Sequence, residues 1–72
     1  MKNSIEIYNN DKLIFSSDDA TFVPNEKDEL IINGRWYIVR SRNFIYDSIT
    51  KDDVSCTANI QVDNFDQYND TK

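Results

Sequence analysis

The alternation of apolar and polar residues between Val54 and Val62 constrains the fold more than any other feature of this sequence. Polar residues stand at every second position, and the apolar positions between them are Val54, Cys56, Ala58, Ile60 and Val62. Successive side chains of a β-strand point to opposite faces, so the segment predicts a strand with one buried and one solvated face. Cys56 is accordingly predicted to be a core residue.

The only glycine of the chain stands in the dipeptide Asn33-Gly34, between two apolar runs. A type I′ hairpin turn needs positive φ at both central residues, which Asn and Gly tolerate best. Residues 30–32 and 35–39 are therefore predicted to pair antiparallel, with Ile31 opposite Trp36. Both faces of this hairpin are then apolar near the turn. This indicates burial on two sides or a face left for a partner, and it leaves a homo-oligomer open.

Weaker signals complete the set of strands. The sequence alternates over residues 4–8, turn residues follow at Asn9-Asn10-Asp11, and residues 13–15 are apolar, which together predict a first hairpin. The segment Phe44-Ile45-Tyr46 is predicted to continue the Trp36 strand after a bend near residues 41–43.

Five short strands in 72 residues are too few for an ordinary sandwich, whereas a sheet that curls on itself covers its edges. The predicted fold is all-β: a small five-stranded SH3-like or OB-like barrel, or a strongly curled antiparallel sheet. Residues 1–63 form this single domain. Residues 64–72 form a polar, frayed tail, from which Phe65 or Tyr68 is expected to pack back onto the barrel.

The composition excludes several classes of protein. The chain has no histidine and one cysteine, so Ser–His and Cys–His catalysis, an intramolecular disulfide and the usual zinc sites are ruled out. The acidic pairs Asp18/Asp19 and Asp52/Asp53 lack the ligand spacing of a calcium loop and are predicted to be solvated. No apolar run reaches the length of a membrane span. We therefore expect a cytoplasmic, non-enzymatic protein without cofactor, metal or membrane partner.

All three arginines fall within eight residues, with Trp36 among them and Tyr46 close behind. In an unbent strand, Trp36 and Ile38 would share one face with Arg40 and Arg42. Arginine and aromatic residues are enriched in protein-binding hot spots and also grip single-stranded nucleic acid. Besides protein binding and nucleic-acid binding, a third interpretation of these residues is a solvated strand with Trp36 in the core. The predicted partner-binding residues are Arg35, Trp36, Ile38, Arg40, Arg42 and Tyr46.

The net charge is −5, which disfavours direct contact with nucleic acid and favours a protein partner. The ten aspartates and three glutamates could mimic a phosphate backbone if one surface displayed them. The alternative is that this negative charge keeps a small β protein soluble.

The order of three segments resembles small phage-encoded β-barrel proteins. These segments are Ile5-Glu6-Ile7-Tyr8, Lys12-Leu13-Ile14-Phe15 and Phe22-Val23-Pro24, and residues 28–39 look like the central hairpin of such barrels. Lys27 departs from the pattern, since a glycine before Asp28 is common there. The resemblance covers residues 4–62 and implies an SH3-like fold and an origin in a phage or other mobile element, acting in a bacterial host.

The predicted function is therefore a non-enzymatic binding protein, an accessory factor that inhibits or adapts a protein partner such as a host defence or nucleic-acid enzyme. Two alternatives stay open at this point. One is a self-associating structural or assembly component of a virion, and the other is a weak nucleic-acid-binding barrel.

Overall fold

A computed structural model describes residues 2–50 and 53–65. Five β-strands form one strongly curled sheet, a half-barrel, which confirms the all-β prediction. The strands are β1 (Lys2–Asn9), β2 (Lys12–Ser17), β3 (Glu29–Ile32), β4 (Arg35–Thr50) and β5 (Asp53–Asn64). Phe65 follows β5 directly, and Tyr68 with the rest of the tail lies outside the described residues.

Both predicted hairpins form, and both turn through residues with positive φ. Asn33 and Gly34 have φ of 52° and 80°, as a type I′ turn requires. Ile31 consequently pairs with Trp36, in the predicted register. In the first hairpin, Asn10 and Asp11 have φ of 52° and 64°. Short polar side chains tolerate this conformation, so the local sequence determines where each hairpin turns.

We expect Gly34→Val to lower the free energy of unfolding by about 1–2 kcal/mol, because an L-residue with a Cβ disfavours positive φ. A Cβ at Gly34 would meet no atom within 4 Å, so the loss reports backbone strain alone. Gly34→Asn is the matched control, since Asn adopts this conformation more readily, and it should cost less. Urea unfolding measures both variants. Equal stability of Gly34→Val and the parent chain would contradict the positive φ of the turn.

The strand order is β2-β1-β5-β4-β3, and one neighbouring pair is parallel. β1 runs alongside β5 in the same direction, from Lys2 opposite Ser55 to Asn9 opposite Val62. The sheet is therefore mixed, whereas one of the predicted alternatives was a strongly curled antiparallel sheet. The chain passes through β2, β3 and β4 before β5 returns beside β1, and this long excursion provides the crossover that a parallel pair needs.

The core lies on the concave face of the sheet. Its buried side chains come from β1, β4 and β5 and are Ile5, Ile7, Tyr37, Val39, Ala58, Ile60 and Val62. Ile60 has 0% of its surface exposed, as the alternation in β5 predicts. Val54 and Cys56 share this face but are only half-buried, because β1 begins opposite Ser55 and covers them less.

Candidate functional site

A β-bulge at Arg40 divides the predicted site into two faces. Val39 pairs with Val62 and Ser41 pairs with Gln61, so Arg40 has no opposite residue on β5. A bulge adds one residue to one strand and reverses which face the following side chains occupy. The prediction that Trp36 and Arg42 project from one face is therefore wrong. Trp36 projects from the convex face, whereas Arg42 follows the bulge onto the concave face.

The convex half of the predicted site is engaged within the chain itself. The Trp36 ring is 51% exposed and meets the ring of Phe65 edge-on, with 5.1 Å between centroids and an 87° angle. This contact confirms that an aromatic residue packs back from the end of β5. Ile38 is buried. Arg40 forms an ion pair with Asp63, with 3.7 Å between Nη1 and Oδ1.

The concave half forms an exposed row that we call the arm face: Arg42, Phe44 and Tyr46. Cross-strand pairing places these residues opposite Ile60, Ala58 and Cys56 of β5, respectively. The Arg42 guanidinium lies 5.6 Å from the Phe44 ring centroid, within the range of a cation–π interaction. Phe44 is 44% and Tyr46 is 67% exposed, so two aromatic rings and a cation stand uncovered in one row.

Phe44 was absent from the predicted site. Its signal was present in the sequence, because Arg42, Phe44 and Tyr46 alternate as strand residues do. This alternation puts Phe44 on the same face as Arg42 with or without the bulge, so strand parity alone would have added it to the predicted site. Arg35 stands apart from the arm face, at the turn end of β4 opposite Ile32.

The outer edge of β4 is paired only over its first residues. β3 pairs with β4 as far as Glu29 opposite Ile38. Two backbone hydrogen bonds then extend the pairing: the Lys27 N–H donates to the Val39 carbonyl and the Val39 N–H to the Asp28 carbonyl, both at 2.9 Å. From Arg40 to Thr50, β5 lies beside the inner edge of β4, and no described strand lies beside its outer edge. We call this stretch the arm edge.

Along the arm edge, backbone N–H and C=O groups that no described strand pairs lie beside exposed apolar side chains. An unpaired edge presents N–H and C=O groups that can pair with another chain. Ile45 is exposed on the face opposite Phe44 and Tyr46, so each face of this stretch carries an exposed apolar side chain. Natural edge strands of this length are usually covered or interrupted by charge. The arm edge therefore has the properties of a protein-binding surface.

Tyr8 and the acidic pairs lie outside the arm face and the arm edge. The Tyr8 hydroxyl donates a hydrogen bond to Glu6 at 2.9 Å, and this bond raises the pKa of Tyr8 above its ordinary value. Asp19 accepts a hydrogen bond from the Thr21 hydroxyl at 2.9 Å, while Asp52 lies outside the described residues. Within residues 2–50 and 53–65, no three carboxylate or thiol groups gather as a metal site would need.

Comparison with protein families, curated proteins and solved structures finds no significant match. Among the residues that the structure describes, no helix is long and apolar enough to cross a membrane. The function of the arm face must therefore be inferred from its own residues and geometry.

Proposed function

We propose that this chain is a non-enzymatic protein-binding module, and that the arm face and the arm edge together bind its partner. The observation that carries the proposal is the outer edge of β4 from Arg40 to Thr50, which no described strand pairs and along which Arg42, Phe44 and Tyr46 stand exposed in one row. The partner contributes an extended segment that adds a strand to this edge. Backbone hydrogen bonds then supply affinity, and the side chains of the row supply specificity.

The residue types of the arm face suit this role. Tyrosine and arginine are enriched among the residues that dominate binding energy in protein interfaces. The ring of Phe44 holds the Arg42 guanidinium beside it, which reduces the rotamer freedom that binding would otherwise remove. The row is therefore partly ordered before a partner arrives.

Charge indicates the kind of segment that binds. Residues 35–46 contain all three arginines and no carboxylate, although the chain as a whole carries a net charge of −5. Arg40 is paired with Asp63, whereas Arg42 faces the row of aromatic rings. A partner segment that offers a carboxylate to Arg42 and apolar side chains to Phe44 and Tyr46 complements this surface. The overall negative charge opposes a nucleic-acid backbone at the same place.

We further propose that the module acts as an accessory factor that inhibits or adapts its partner. The resemblance of residues 4–62 to small phage-encoded barrels supports this role and an origin in a mobile element. A small chain that adds one strand to a partner can act by occupying a surface, and this mode of action needs no catalytic group.

Affinity capture from bacterial extract tests the proposal with three immobilised chains. They are the parent chain, an arm-face variant carrying Phe44→Thr and Tyr46→Thr, and the control Leu13→Thr. Leu13 is 47% exposed and lies on β2, which β1 and β5 separate from β4 in the sheet. Threonine keeps the preference for strand conformation at positions 44 and 46.

We expect the same protein on the parent chain and on the control, and its loss from the arm-face variant. Equal retention by all three chains, or no retained protein, would contradict the proposal. Light scattering of the parent chain alone completes the test. A dimer that the arm-face substitutions dissociate would show that the edge pairs with a second copy, and would overturn the assignment to a different partner.

A further inference from the structure

A second binding surface follows from the gap that the half-barrel leaves between its two edge strands. β2 and β3 are the first and last strands in the sheet order and run antiparallel to one another. Near the Asn33-Gly34 turn, Ile14 of β2 and Ile32 of β3 both pack against the core. Toward the other end, the two strands border an open groove of about 670 Å³. We call this groove the seam.

We propose that the seam binds a short extended segment of a protein that is apolar at alternate residues and basic at one end. The site is distinct from the arm face, because its walls come from β1, β2, β3 and the loop at residues 19–24. Its volume falls in the range of about 300–1,000 Å³ that is usual for sites that hold small ligands. It therefore holds a few side chains rather than a folded domain.

The walls of the seam determine the chemistry of the segment. Ile5 and Ile7 form its floor, with Phe15 on one side and Leu30 on the other. These side chains favour apolar residues at every second position of an extended segment. β2 is the longer of the two edges, with 6 residues against 4 in β3. Pairing along β2 thus offers the larger number of backbone hydrogen bonds.

The charged groups that line the seam are both acidic, Asp19 and Asp28. Hydrogen bonds to the loop fix their positions. The Asp28 carboxylate accepts a hydrogen bond from the Asn25 N–H at 2.8 Å, and the Asp19 carboxylate accepts one from the Thr21 hydroxyl at 2.9 Å. Both aspartates belong to the loop side of the seam, where β2 ends and β3 begins. A lysine or arginine at that end of the segment would meet two carboxylates already in place.

Charge also selects among the chains that could occupy the seam. Residues 66–72 of this chain contain two aspartates and one lysine, and a second copy brings a net charge of −5. Either occupant would bring negative charge to an acidic site. A basic segment of another protein is the complementary occupant.

Two synthetic hexapeptides test the proposal by titration into the isotope-labelled full-length chain, followed by NMR. Both alternate valine and threonine. One peptide begins with arginine, and its matched control begins with glutamate. We expect the arginine peptide to shift the amide signals of β2, β3 and residues 19–28, and to bind at least about fivefold more tightly than the glutamate peptide. This ratio corresponds to about 1 kcal/mol.

Substitutions distinguish this site from the arm face. Asp19→Asn keeps an oxygen for the Thr21 hydroxyl but removes one of the two negative charges, and should clearly reduce the preference for arginine. The arm-face variant should bind the arginine peptide as the parent chain does, so that failure of either site is detected separately. Shifts on β4 alone, equal binding of the two peptides, or no shifts at millimolar concentration would overturn the proposal. A chain that ends at Phe65 and gains affinity would show that the tail occupies the seam, and would also overturn it.

Discussion

Ile60→Ala is expected to lower the free energy of unfolding by about 2–5 kcal/mol, the usual cost of a large cavity in a packed core. Ile60 has no exposed surface and lies on β5, between β1 and β4. A chain of 72 residues is stable by only about 4–10 kcal/mol at the ordinary value per residue. The substitution therefore removes a large part of the total, and the midpoint of urea unfolding should fall accordingly.

Urea unfolding followed by circular dichroism measures this loss. Ile60→Val, which leaves a smaller cavity, should cost about 0.5–1.5 kcal/mol. Ile31→Ala is the matched surface control, because Ile31 lies on β3 with most of its side chain exposed, and it should change stability by about 0.5 kcal/mol or less. Equal losses for Ile60→Ala and Ile31→Ala would place the core somewhere other than the concave face.

The arm-face variant is expected to bind the captured partner at least about 100-fold more weakly than the parent chain. Truncating one hot-spot aromatic typically costs about 2 kcal/mol or more, close to 30-fold in affinity, and the variant removes two rings. Both rings are largely exposed, so the β-sheet spectrum and the urea midpoint should change little. Binding would then be lost while the fold is retained.

Titration calorimetry with the purified partner gives this ratio. Leu13→Thr should bind within about threefold of the parent chain, a difference under 1 kcal/mol. An arm-face variant that retains the affinity of the parent chain would place the binding surface away from Phe44 and Tyr46. A variant that loses both affinity and its β-sheet spectrum would instead assign a structural role to these rings.

The local parts of this fold follow from the sequence. The alternation from Val54 to Val62 identifies β5 and its buried face, and Asn33-Gly34 determines the turn and the register of β3 with β4. Each prediction depends on residues that are close in the chain. The conformational preference of those residues and the two-residue period of a strand are sufficient for it.

The parallel pairing of β1 with β5 was not predictable in the same way. Hairpin turns specify antiparallel neighbours only, whereas β1 and β5 meet across more than forty residues of intervening chain. The gap between β2 and β3 is likewise a property of the whole sheet, because it depends on how far the five strands curl. Sequence patterning does not report that curvature.

The bulge at Arg40 had the largest consequence for the candidate site. Nothing in Val39-Arg40-Ser41 resembles the glycine that marks some bulges, and the sequence indicated only a bend a little further along. One extra residue in β4 was enough to separate Arg42 and Tyr46 from Trp36, Ile38 and Arg40. Phe44, which was absent from the predicted site, follows the bulge onto the concave face together with Arg42 and Tyr46.

Charge reversal at two arginines tests most directly whether the bulge divides the predicted site. An unbulged strand would present Arg40 and Arg42 to the same partner, whereas the structure pairs Arg40 with Asp63 and places Arg42 beside Phe44. Calorimetry at low salt compares Arg42→Glu with Arg40→Glu against the captured partner. We expect Arg42→Glu to weaken binding by about tenfold or more, and Arg40→Glu by less than about threefold. Equal losses for the two variants would contradict the division of the site into two faces.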